Sequence, residues 1–232
     1  MKTQIKRLFL GFLIACFSVS AFSQQTVEKY AIELEYLQYL PEGYEDDDTT
    51  LWPVLIFLHG VGEVGTDIEM IKIHGLPKLI EAGKQFPFIV LSPQARSRGW
   101  NPEDLHIMME TAFKYLRVDP ERIYLTGLSM GGFGTWATAI AYPDLFAAII
   151  PICGGGDPAE AEKLKDMPVW CFHGDNDTVV PMALSENMVN ALKEYNPEVK
   201  FTVYPGVGHD SWTTTYENEA IYNWLLQHKR KK

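Results

Sequence analysis

A serine framed by glycines two residues away on either side is a chemical signal in its own right. Gly127-Leu128-Ser129-Met130-Gly131-Gly132 fits the G-x-S-x-G pattern, in which a strand ends in a tight, strained turn that presents a serine hydroxyl. A hydroxyl is a weak nucleophile until a base takes its proton. Of the six histidines, His209 is the best placed: Gly206-Val207-Gly208-His209-Asp210-Ser211-Trp212 forms a glycine-rich loop after the last apolar run. His59 opens a loop, His173 ends an apolar run, and His74, His106 and His228 fall in helical stretches, so structural or surface roles are expected of them. An acid must fix the tautomer of the base and stabilise its imidazolium. Phe172-His173-Gly174-Asp175-Asn176-Asp177-Thr178-Val179-Val180-Pro181 supplies Asp175 and Asp177; Asp210 is a weaker choice, because it adjoins His209 and its side chain would have to fold back.

Acyl transfer through such a serine needs N–H donors for the oxyanion of the tetrahedral intermediate. Leu58-His59-Gly60-Val61-Gly62-Glu63-Val64-Gly65 follows an apolar run in the right part of the chain, and the donors are assigned to the N–H groups of Val61 and Met130. This chemistry requires neither a metal nor an organic cofactor. His106 and Glu110 share an i, i+4 spacing, but no third ligand beside them makes a zinc site.

These residues must be positioned by a scaffold, and the hydrophobic pattern describes one. Residues 30–40 alternate as a half-exposed strand would. Six short, continuously apolar runs follow at 54–58, 88–91, 122–125, 147–152, 169–172 and 199–204, as expected of strands covered on both faces. Helix-like stretches at 68–82, 102–116, 131–142, 158–165, 181–195 and 213–229 separate them. Alternation of this kind predicts an α/β fold with a doubly wound, mostly parallel sheet flanked by helices, and ligands at the carboxyl ends of its strands. At 232 residues the chain suits one such domain. The terminal Lys229-Arg230-Lys231-Lys232 reads as a solvated tail.

Met1 to Arg7 is basic, residues 8–17 are apolar, and small residues at Ala21 and Ser23 follow, so residues 1–23 read as a secretory signal and 24–232 as the exported domain. The apolar run is shorter than the ~20 residues of a membrane-spanning helix, so no integral span is expected. A lipoprotein signal with Cys16 as the modified residue is the alternative. Loss of Lys2, Lys6 and Arg7 would move the formal charge from −10 to −13, which argues against nucleic acid and anionic membranes as partners. Cys153 and Cys171 then remain; two small buried thiols are the simpler reading and a disulfide the other.

The motifs at 59–65, 127–132, 174–181 and 206–212, in that order, resemble those of α/β-hydrolase superfamily serine esterases of the dienelactone hydrolase, feruloyl esterase and polyhydroxybutyrate depolymerase group. They also resemble the catalytic domains of prolyl oligopeptidase-type enzymes. The likeness runs from about residue 30 to residue 224, and the order Ser, Asp, His is that of the superfamily. It implies a Ser129, Asp177, His209 triad, since the second acidic position of G-x-x-D-x-x-V-P orients the histidine. Only residues 154–167 occupy the place where many relatives insert a lid, so an open site is expected. The expectation is a secreted carboxylesterase acting on feruloyl or acetyl esters of polysaccharide, with Trp100 and Trp212 lining the substrate pocket. A prolyl oligopeptidase-like peptidase and an inactive carbohydrate-binding module are the alternatives.

Overall fold

The computed structural model describes residues 34–230; the expected export signal and Cys16 lie outside them. Seven strands form one sheet: β1 (Tyr36–Tyr39), β2 (Trp52–Leu58), β3 (Ile89–Pro93), β4 (Val118–Leu128), β5 (Ala148–Ile152), β6 (Trp170–Gly174) and β7 (Lys200–Tyr204), in the order β1-β3-β2-β4-β5-β6-β7. All neighbours are parallel except β1, which runs antiparallel to β3 at the edge. The apolar runs are apolar because both faces of the sheet are covered. Val54, Ile56 and Leu58 of β2 join one buried cluster, while Leu55 and Phe57 join the other, as the two-residue period of a strand demands.

Among the described residues six α-helices cover the sheet: α1 (Gly75–Glu81), α2 (Pro102–Ala112), α3 (Met130–Ala141), α4 (Ala183–Lys193), α5 (Trp212–Glu217) and α6 (Glu219–Leu226). Leu105 and Met109 of α2, Trp136 of α3 and Met188 and Leu192 of α4 pack on one face. Leu76 of α1, Tyr216 of α5 and Trp224 and Leu225 of α6 pack on the other. The interval between β5 and β6 holds only a 3-10 helix at Pro158–Leu164, so no large lid is built there.

Two expected helices are broken, each for a local reason. The stretch at 68–82 is a 3-10 helix at Ile68–Ile73 followed by α1, because Gly75 turns to φ 61° against the Phe57 ring, where a Cβ would collide with ring carbons. The stretch at 213–229 splits at Asn218, whose side chain accepts from Ala220 N (3.0 Å) and starts α6 afresh. Within the expected tail, Arg230 is less free than its charge implies. Arg230 N donates to Glu121 O (2.8 Å) and its guanidinium to Asp144 O (3.1 Å), which ties it to the amino ends of β4 and β5.

Candidate active site

Ser129 stands between β4 and α3 with φ 52° and ψ −115°, a backbone conformation that a side chain seldom adopts. The turn is locked by a hydrogen bond from Ser129 N to Ile152 O (3.0 Å). Close approach explains two of its glycines: a Cβ on Gly131 would run into the Leu58 carbonyl, and one on Gly127 into the carbonyl of Gly131. The start of α3 is thereby pressed against the end of β2, beside the loop that carries Val61.

His209 lies beyond β7 and Asp177 beyond β6. His209 Nε2 is 2.9 Å from Ser129 Oγ, and His209 Nδ1 is 2.7 Å from Asp177 Oδ2. Asp175 and Asp210 do other work. Asp175 Oδ1 accepts from Gly206 N (2.6 Å) and so holds the histidine loop against the β6 loop, an attachment repeated by Asn176 N to Val207 O (3.0 Å). Asp210 accepts from Thr213 N (3.1 Å) and Thr213 Oγ1 (3.0 Å) at the start of α5.

The Asp177 side chain is fully buried. Burial alone would raise its carboxyl, but hydrogen bonds from His209, Val180 N and Val179 N outweigh that and hold it below the ordinary carboxylate value. A second imidazole reaches the same carboxylate. His173 Nε2 lies 3.1 Å from Asp177 Oδ2 and 2.9 Å from Val180 O, while its Nδ1 meets Ser185 Oγ (2.8 Å). Both partners of Nε2 are acceptors, so Nε2 carries the proton and donates. His173, expected only in a structural or surface role, stands at i to i+4 spacing before Asp177 in the same motif.

The loop expected to supply an oxyanion donor is held by its own hydrogen bonds. Val61 begins a 3-10 helix (Val61–Glu63) and Met130 begins α3, so both amides occupy first positions, where no intrahelical acceptor exists. The buried Glu63 carboxylate accepts from Gly60 N (2.7 Å). Burial raises its pKa, with His74 and the Gly60 amide opposing. His59 Nε2 accepts from Ala95 N (2.9 Å), so the proton sits on Nδ1, which donates to Gly60 O (2.6 Å). Desolvation lowers the His59 pKa to about 4 against the pull of the Gly60 carbonyl, in keeping with a neutral ring.

A cavity of about 410 Å³ opens at Ser129, walled by Val61, Trp100, Met130, Phe133 and Val179, with Arg98 at its rim. Trp100 therefore sits where expected, fixed by donation from its indole N–H to His59 O (3.2 Å). Trp212 does not line this cavity. It is 9% exposed and wedged between the His74 and His209 rings, at centroid distances of 5.5 and 5.1 Å, because α5 turns inward directly after the histidine loop. Cys153 and Cys171 are separate buried thiols, each pushed up to about 12 by burial.

A mostly parallel seven-stranded sheet flanked by helices, with a serine at a strained strand-to-helix turn, defines an α/β-hydrolase of the serine esterase type. Residues 99–227 match the Phospholipase/Carboxylesterase family, a span that contains Ser129, Asp177 and His209, and the chain belongs to that family. It is 24% identical to poly(3-hydroxyalkanoate) depolymerase C of Paucimonas lemoignei over 93% of its own length and 54% of the depolymerase. It is 24% identical to carboxylesterase SOBER1 of Arabidopsis thaliana over 74% of its length and 88% of that enzyme. A thermostable esterase of known structure superposes with a TM-score of 0.72 at 34% identity, over 86% of this chain and 60% of that one. The feruloyl esterase module of Clostridium thermocellum, solved with sinapinate, shares the fold with a TM-score of 0.60 at 20% identity, over 82% and 81%. The chain thus spans little more than half of the depolymerase and three-fifths of the thermostable esterase.

Proposed function

We propose that this protein is an exported serine carboxylesterase that cleaves acyl esters of the feruloyl or acetyl type on polysaccharide through an acyl-enzyme. The observation that carries the reading is the unbroken relay from Ser129 Oγ through His209 to Asp177, at 2.9 and 2.7 Å, opening on an apolar-walled cavity. With Asp177 ionised, His209 Nδ1–H donates to it and Nε2 is left to accept the Ser129 proton. Ser129 Oγ attacks the ester carbonyl, and the N–H groups of Val61 and Met130 receive the oxyanion. His209 then protonates the leaving alcohol and afterwards draws a proton from water, which releases the acid and restores the serine.

The cavity, over which the described residues between β5 and β6 build no large lid, favours a bulky polar ester over a lipid aggregate, and Trp100 and Phe133 offer apolar faces to an aromatic acyl group. The basic and apolar amino-terminal sequence favours export. Turnover of methyl ferulate, acetylated xylan, a short 4-nitrophenyl ester and a prolyl peptide, with Ser129→Ala as blank, tests the reading. Hydrolysis of the first two that vanishes in Ser129→Ala is expected. A preference for the peptide overturns the ester assignment, and turnover that survives in Ser129→Ala overturns the nucleophile.

A further inference from the structure

Five arginines fall among the described residues, and three are engaged. Arg117 lies over the Tyr44 ring and beside Asp48, Arg122 pairs with Asp119, and Arg230 donates to the Asp144 carbonyl. Arg96 and Arg98 are exposed, and among the described residues neither has an ion pair or a hydrogen bond through its guanidinium. Both belong to one segment beside the serine. Arg98 edges the cavity that contains Ser129, whereas Arg96, with Ser97, Asn101 and Asp104, lines a neighbouring cavity of about 260 Å³; Gly99 and Trp100 form part of the wall of each.

The segment that presents these side chains is held at three points, two through backbone amides and one through an indole. Ala95 N donates to His59 Nε2 (2.9 Å), Gly99 N to Met130 Sδ (3.2 Å), and the Trp100 indole to His59 O (3.2 Å). Their anchors are the loop that carries Val61 and the residue after the serine, so the backbone from which Arg96 and Arg98 extend keeps a defined relation to the reacting centre. The molecule as a whole is acidic, with a formal charge of −10, and its long-range field repels anions. Attraction of an anion to this rim must therefore be local, and an arginine fork matches a carboxylate in shape as well as charge.

We propose that Arg98, with Arg96 behind it, binds a carboxylate carried by the substrate close to the scissile ester. The preferred substrate class is then a carboxylated ester, with the charge either on the acyl group or, as in a uronate, on the alcohol. This rests on Ser129 being the nucleophile, and the experiment separates the two claims. On the acyl side, kcat/KM is compared for 4-nitrophenyl hexanoate and mono-4-nitrophenyl adipate, which have equal acyl carbon counts with and without a terminal carboxylate. On the alcohol side, acetylated methyl glucuronoside is compared with acetylated methyl glucoside.

The native protein, Arg98→Gln, Arg98→Lys and Arg98→Glu are measured with Ser129→Ala as blank, and the quantity read is the ratio of the charged to the uncharged ester. In at least one pair Arg98→Gln should lower that ratio on the order of fivefold, as expected for loss of an exposed ion pair near the upper end of its usual worth. Arg98→Lys should lower it less and Arg98→Glu more, and added salt should shrink the native preference. The pair that responds identifies the side bearing the charge. Ratios equal in all four proteins, with both esters still hydrolysed above the blank, overturn the carboxylate site and leave the nucleophile standing. No hydrolysis above the blank by the native protein overturns both.

Discussion

Three carboxylates near one imidazole compete for the same role, and their hydrogen bonds separate them. Asp177 alone touches His209, and its far oxygen is filled by Val179 N and Val180 N at 2.8 and 2.9 Å, so its carboxylate cannot swing away. Asp177→Asn keeps the shape but replaces an acceptor with an amide that can donate, which favours the wrong tautomer of His209. A fall in kcat on the order of 10⁴ is expected, whereas Asp175→Asn, which keeps an oxygen for Gly206 N, should cost far less. Steady-state rates on a 4-nitrophenyl ester check this, and equal losses in the two variants would remove the distinction. Ser129, His209 and the acidic motif were legible at this scale because each needs a particular residue type after a particular strand. Trp212 was not: three residues of sequence separation from His209 fit a pocket wall and a buried wedge equally well, and only the inward turn of α5 decides.

At the scale of elements, all seven strands fall within or across runs read from the sequence: the central ones are buried on both faces and leave an apolar signature, whereas β1 at the edge is only partly buried and is read from alternation. Direction left no such mark. The antiparallel course of β1 is set by its pairing with β3, and alternation reads the same either way. Helix continuity was equally hidden, because Gly75 and Asn218 act through φ and side-chain capping within otherwise amphipathic stretches. The loop after β2 shows how an element end couples to pH. In the folded protein His59 is lowered from 6.5 to about 4, so between these values the unfolded chain takes up a proton that the folded one refuses. Its contribution is fully present above pH 6.5 and is lost as pH falls towards 4, an amount on the order of 3 kcal/mol. Gln in its place offers an acceptor to Ala95 N without titrating. Urea unfolding across this interval should therefore show a shallower pH slope for His59→Gln than for the native protein, and parallel slopes would exclude His59 as the source.

Across the whole molecule, chemistry and anchorage occupy opposite ends of the sheet. Ser129, Asp177 and His209 follow the carboxyl ends of β4, β6 and β7, while Arg230 is fastened at the amino ends of β4 and β5, where Tyr124 Oη also donates to His228 O (2.9 Å). A sequence read for charge sees four consecutive cations and infers solvation. The carbonyls of Glu121 and Asp144 that hold Arg230 belong to the backbone, and residue type cannot announce them. Deleting residues 229–232 removes both hydrogen bonds, at about 0.5–1.5 kcal/mol each, and for a chain of this size should lower Tm by a few degrees. Because nothing in that contact reaches the serine, kcat/KM on a neutral ester should stay at the native value below the transition. Thermal melts paired with rates at moderate temperature decide the matter: an unchanged Tm would mean the tail is free after all, and a reduced kcat/KM would mean that the two ends of the sheet are mechanically coupled.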